Sequence, residues 1–178
     1  MTDNDHELVA LACKGNRSAF QHLLERHYDT AYRVAYRYTR SIEDAEDITQ
    51  EICLGLARKL RSFRGESRFS TWFYRVVVNA CRDHGRKQTS TRTLQASYAM
   101  YREMADADEE HDSGRLEWLS DAIASLEPKL RETAILVLSE DLSHADAATA
   151  LECAESTISW RMHEIRKKLK TLVETSDD

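Results

Sequence analysis

Apolar residues return at every third and fourth position in block after block of this chain, and little interrupts them. Phe20, Leu23, Leu24, His27, Ala31, Val34 and Tyr38 form one such stripe, and Ala45, Ile48, Ile52, Leu56 and Leu60 form a second. That spacing turns one face of a helix toward a core. One proline and five glycines are the only strong breakers in 178 residues, and the abundant Ala, Leu, Glu and Arg favour helix. The single β-branched run, Val76-Val77-Val78, sits inside a helical pattern. The expected fold class is all-α.

Capping residues divide the helices. A short helix is expected over residues 5–14, and Asn16 or Ser18 can cap the next, which runs to about Arg40. Ser41 with Asp44 three residues on resembles a capping box for a helix over Ile42–Ser62. Arg64-Gly65-Glu66 breaks the pattern, and Ser70 or Thr71 starts a fourth helix to about Arg86. Residues 88–114 are polar and end in the acidic run DADEEHD, a composition that favours a flexible linker. Beyond it Leu116, Leu119, Ile123 and Leu126 resume helical spacing, and Pro128 suits the first turn of a helix carrying Leu130, Ala134, Leu136 and Leu138. Ser143 and Ser156 cap two last helices around a turn at about 152–155, which reads as a helix-turn-helix or as a plain helical hairpin. The organisation expected is two small helical domains, 1–87 and 115–172, joined by an acidic linker at 88–114, with a frayed tail at 173–178.

Net charge is −6 and unevenly spread: residues 1–87 carry +3, residues 88–115 carry −3, and residues 116–178 carry −6. Any affinity for nucleic acid must come from local faces. No stretch of about 18 apolar residues suggests a membrane span, and the acidic N-terminus does not resemble a secretory signal, so a cytoplasmic protein is expected. Cys13, Cys53, Cys81 and Cys153 form no CxxC pair and read as small buried hydrophobes; no metal and no cofactor is expected. The dipeptides His6-Glu7 and His163-Glu164 do not continue as HExxH, and no GxSxG or phosphate-binding glycine loop occurs, so no enzyme activity is expected.

Three faces carry chemistry. Residues 63–87 hold six Lys/Arg against two Asp/Glu, with five of the 14 aromatics. Wound as a helix, Phe73, Val76, Val77, Ala80 and His84 face a core, while Trp72, Arg75, Asn79, Arg82 and Arg86 share a second side. Guanidiniums bind phosphates and rings stack on unpaired bases. The preceding loop adds Phe63, Arg64, Arg68 and Phe69 around a glycine, a setting for a base turned out of the stack. A solvated amphipathic helix with structural aromatics fits the same pattern. On the third helix Asp44, Asp47, Glu51, Leu54 and Arg58 share a side. It can dock a basic partner helix; the macrodipole accounts for Asp44 but poorly for Glu51. In the last helix Ile158, Met162, Ile165, Leu169 and Leu172 point inward, opposite Ser156, Trp160, His163 and Lys167. The N-terminal part of such a helix meets base edges in the major groove.

The order DAEDITQE, then FRGESRFSTWFYRVVVNACRDHGRK, then an acidic linker, then SLEPKLRETAILVLSEDLSHADAATAL and STISWRMHEIRKKL, resembles bacterial RNA polymerase sigma factors of the extracytoplasmic-function (ECF) group. The resemblance covers about residues 15–87 and 116–172. It implies a factor that binds core polymerase and directs promoter-specific initiation. Asp44, Asp47, Gln50, Glu51 and Leu54 would grip the β′ clamp helices. Phe63, Arg64, Arg68 and Phe69 would capture an extruded base of the −10 element, which Trp72, Arg75, Asn79, Arg82 and Arg86 would read and open. Ser156, Thr157, Ser159, Trp160, Arg161, His163 and Lys167 would contact the −35 element, in a domain held on the β flap, and an anti-sigma factor would restrain the whole. The chain departs from the family with Glu152 where a turn glycine is usual, Ser159 where a basic residue is frequent, Trp160 where a small one is, and Glu164 where arginine is common. Two rivals remain: a sigma-like decoy that sequesters a regulator, and a stand-alone helix-turn-helix regulator.

Overall fold

A computed structural model describes the backbone of residues 4–95 and 113–176, and side chains over 5–88 and 118–173. Among the described residues every regular element is helical. The elements are α1 (Asn4–Cys13), α2 (Arg17–Thr39), α3 (Ile42–Lys59) with a 3-10 turn at Leu60–Ser62, α4 (Phe69–Gln95), α5 (Ser113–Ser125), α6 (Pro128–Ala134) with a π turn at Ile135–Ser139, α7 (His144–Leu151) and α8 (Glu155–Ser176).

Local chemistry sets most boundaries. The Asn16 side chain accepts from the Ala19 amide at 3.0 Å, and Ser41 Oγ accepts from the Asp44 amide at 3.2 Å, so each satisfies an amide that the helix leaves unpaired. Ser143 caps α7 in the same way through the Asp146 amide. Arg58 and Lys59 close α3 at the negative end of its dipole. The last helix departs from expectation. It starts at Glu155, because the Ala154 carbonyl accepts from the amides of Thr157 and Ile158; Ser156 lies inside the first turn and is not the cap. α8 also continues to Ser176, into the segment expected to fray.

The fourth helix is longer than its pattern suggested. It runs through Gln95, past Arg86, so the start expected for the linker lies within α4. Its added turns are tied back to α3 by Gln88, which donates to Asp44 at 2.7 Å, and by Lys87, 3.2 Å from Glu51. The greater part of the acidic linker falls outside the described residues.

Leu23, Val34, Ile48, Ile52, Leu56, Phe69 and Val77 fill the core between α2, α3 and α4. Leu130, Ile135, Leu136, Ile158, Met162 and Ile165 fill that of the second half. Truncating any of the buried leucines or isoleucines to alanine costs about 2–5 kcal/mol. The two cores merge into one cluster, because α7 packs on α4 and both α5 and the π turn pack on α2. Buried alanines Ala147, Ala148 and Ala150 allow α7 a close approach to its neighbours.

Candidate polymerase and nucleic-acid interfaces

The acidic side of α3 divides into two roles. Asp44 accepts from Gln88 and sits 2.9 Å from His84 Nε2, while Glu51 pairs with Lys87, so both carboxylates fasten α3 to α4. Asp47 and Gln50 are exposed, and Leu54 is 81 % exposed. A leucine so exposed, flanked by carboxylates and an amide, has the make-up of a docking surface, although an isolated exposed leucine needs no explanation. Ile42, 59 % exposed, is a second outward aliphatic on this helix that the acidic spacing did not single out.

The loop between the 3-10 turn and α4 turns at Gly65, with φ of 73° that glycine adopts without strain. Around it the rings cluster: Phe63 lies 5.5 Å from both Phe69 and Trp72, and Phe69 lies 5.4 Å from Trp72 and 5.9 Å from Phe73. His6 of α1 meets Phe63 edge-on at 5.1 Å, and its Nε2 lies 3.2 Å from the Ser67 carbonyl. The expectation of a free tryptophan on the basic ridge is corrected here. Trp72 is 5 % exposed and Phe69 is sealed, because the loop folds Phe63 over them. Trp72 nevertheless forms one wall of a cavity of about 340 Å³, with Ser62, Phe63, Arg64, Glu66, Ser67, Arg75 and Thr149. That volume lies within the range of small-molecule sites. Arg64 of the lining is exposed, as is Arg68 further along the same loop, and Thr149 is contributed by α7 of the second half.

The remaining ridge residues are engaged. Arg75 is 3.1 Å from Glu152. Arg82 clasps Glu132 with two donors at 2.7 and 2.6 Å and donates a third bond to Asn79 Oδ1 at 3.1 Å. The Glu132 carboxylate raises the Arg82 pKa, opposed by burial. Arg86 is exposed and pairs with Asp83. On the core side, burial pushes the Cys81 thiol up to about 12. Cys81 is the one cysteine that matches the buried expectation; Cys13 is exposed, and Cys53 and Cys153 are half-buried.

In the helix-turn-helix, Ile158, Met162 and Ile165 hold α8 onto α6 and α7. Ser156, Ser159, His163 and Lys167 face out, Thr157 is half-buried, and Trp160 is 61 % exposed. Ser159 Oγ lies 3.1 Å from His144 Nδ1. Arg161 is half-buried and donates to Thr133 Oγ1 at 3.3 Å, apart from the outward row. Among the described residues no helix is long and apolar enough to cross a membrane, and no group of three His, Cys, Asp or Glu is arranged to hold a metal ion.

The helices thus set an acid-faced helix beside a basic aromatic loop in the first half and a helix-turn-helix in the second. The sequence of residues 23–91 matches the sigma-70 region 2 family. Across 172 residues the chain is 32% identical to the ECF RNA polymerase sigma factor SigM of Mycobacterium tuberculosis, covering 96% of this chain and 85% of that one. The fold is shared with CnrH in complex with the cytosolic domain of CnrY, at a TM-score of 0.73, 24% identity, and 97% and 99% coverage. It is shared too with the sigma factor RpoE in complex with the anti-sigma factor NepR from Bartonella quintana, at 0.72, 23%, and 87% and 96%. The chain belongs to the ECF family of RNA polymerase sigma factors, which bind the core enzyme and direct it to promoters.

Proposed function

We propose that the exposed strip Asp47, Gln50 and Leu54 of α3 docks on the β′ clamp helices of core polymerase, with Asp44 and Glu51 at its edge bracing α3 on α4. The cavity beneath Phe63 receives a base extruded from the non-template strand of the −10 element, with Trp72 as its wall. Arg64, Arg68 and Arg75 neutralise the flanking phosphates, and Asn79, Arg82 and Arg86 continue along the strand. Ser156, Thr157, Ser159, Trp160, His163 and Lys167 of α8 meet the −35 element, with the second domain carried on the β flap; Arg161 acts indirectly by positioning α8. The factor works in the cytoplasm. An anti-sigma partner is expected, as RpoE has one in NepR.

The observation that carries this reading is the cavity of about 340 Å³, whose lining joins an aromatic wall to Arg64 and Arg75. Extruding a base costs a few kcal/mol, which stacking of about 1–3 kcal/mol per base and charge neutralisation can offset. Melting follows because the factor binds the open strand better than the duplex; differential affinity is how a binding protein shifts that equilibrium. Promoter permanganate footprinting with core polymerase tests it. The double variant Arg64→Ala/Arg75→Ala should bind polymerase normally and lose strand opening. Undiminished permanganate reactivity would defeat the assignment, and a wild-type factor that binds polymerase but never initiates would be a decoy.

A further inference from the structure

The imidazole of His6 reaches from α1 into the loop that roofs the cavity beside Trp72. Its Nε2 is 3.2 Å from the Ser67 carbonyl, and a carbonyl only accepts, so Nε2 carries the proton and donates. The ring meets Phe63 edge-on, at 5.1 Å between centres. It also adjoins Gly65, where a Cβ would stand 3.7 Å from His6 Cε1. One side chain thus meets three alternate loop residues, of which Phe63 and Ser67 line the cavity. The residue before it secures α1 from the other side. Asp5 is 8 % exposed, and its carboxylate accepts from His27 Nε2 at 2.9 Å and from Arg26. The His27 ring lies 5.0 Å from Phe69 and 5.2 Å from Phe73, and Phe69 in turn supports Phe63 and Trp72. Leu8 and Val9 are buried, and α1 packs on α2 and on the 3-10 turn that leads into the loop. All of α1 lies outside residues 23–91, the segment that matches sigma-70 region 2.

Resting on the base-capture role proposed above for this cavity, we propose that His6 is a positioning residue of the −10 site. From α1 it holds residues 63–67 in the shape that keeps the cavity open beneath Phe63, and Asp5 fixes α1 for that task through His27. Residues 63–68 belong to no helix, so holding them in one shape costs backbone entropy that contacts from outside the loop must offset. A loop already ordered when DNA arrives loses none of that freedom on binding, and its affinity gains accordingly. His6 touches neither DNA nor polymerase in this role; it acts through Phe63 and Ser67. Without its ring and its donor, Phe63 is free to drop into the cavity or to swing off Trp72. In either case an extruded base loses its preformed seat, while the rest of the helical core is undisturbed.

The test uses the full chain with core polymerase and a promoter that the wild-type holoenzyme selects from a random-sequence pool. The probe is fluorescently labelled single-stranded DNA carrying the non-template strand of that promoter's −10 element. His6→Ala should weaken holoenzyme affinity for the strand about tenfold, the order that one hydrogen bond and one edge-on ring pair return together. It should also speed tryptic cleavage of the free factor after Arg64 and Arg68, which are exposed on the loop. Affinity for core polymerase and for −35 duplex should not move. His6→Gln keeps an N–H donor for Ser67, and His6→Phe keeps a ring on Phe63; each should restore part of the lost strand affinity and slow the cleavage again. Unchanged strand affinity and cleavage in His6→Ala would overturn the proposal. So would an equal loss of polymerase affinity, or Gln and Phe variants no better than Ala. Arg64→Ala/Arg75→Ala, assayed alongside, keeps the two readings apart. If that variant retains strand affinity, the cavity is not the base site; if it loses affinity and His6→Ala does not, only the positioning role fails.

Discussion

Trp72→Ala separates two accounts of the basic aromatic helix. If Trp72 stands on an open ridge, its loss removes a base contact and leaves the fold intact. The structure makes it core: the residue is 5 % exposed, with Phe63 at 5.5 Å and Phe69 at 5.4 Å between ring centres. Truncating a buried tryptophan costs about 3–5 kcal/mol. A small domain has only about 5–15 kcal/mol in total. At about 2–4 °C per kcal/mol for a chain of this size, the melting temperature should fall by between about 6 and 20 °C. Thermal melts followed by circular dichroism measure the fall directly. Trp72→Phe, which keeps a ring against Phe63 and Phe69, should recover most of it. A fall of less than about 4 °C, equivalent to about 1 kcal/mol, would refute the packing argument and return Trp72 to the ridge.

Leu54→Asp should leave stability within about 0.5 kcal/mol, because the side chain is 81 % exposed, yet weaken association with core polymerase; competition with a labelled sigma factor measures it. Trp160→Ala should likewise leave the melt unchanged and alter affinity for duplex containing the −35 element, read by anisotropy with the holoenzyme. His27 gives a pH signature. Burial lowers its pKa below 6.5, partly opposed by the hydrogen bond and charge of Asp5 and reinforced by the charge of Arg26. The unfolded chain therefore binds more protons just below pH 6.5, so the His27 contribution is intact above that value and is lost as pH falls through the lowered folded pKa. Urea midpoints should drop as pH falls below about 6.5, and His27→Gln should flatten the drop.

Features decided within a few residues were legible from sequence. Asn16, Ser41 and Ser143 cap as expected because capping is a bond between a side chain and an amide two or three positions on. The burial of Trp72 was hidden because it borders both helical faces, and the rings that cover it arrive from the preceding loop. Arg161 shares spacing with outward residues but finds Thr133, 28 positions away. The length of α4 was hidden for the same reason: Lys87 and Gln88 are held by Glu51 and Asp44, 36 and 44 positions earlier. The contact between the halves left no local trace. Its ion pairs join residues up to 107 apart, and charge totals alone could only say that one half was basic and the other acidic.

The energetics of that contact favour a packing of specific register. Arg75–Glu152 is partly exposed on both sides, at 34% and 61%, so it contributes about 0–1 kcal/mol after screening. Glu132 and Glu140 form better geometry but lose their hydration, and burying a carboxylate cancels much of what its partners return. The ion pairs therefore add little net affinity; the apolar contact of α7 with α4 supplies the attraction. What the carboxylates contribute is selection. A closed arrangement shifted by one helical turn would strand Glu132 or Glu140 without donors, at about 3–5 kcal/mol each. Register is thus strongly specified while total stability stays modest.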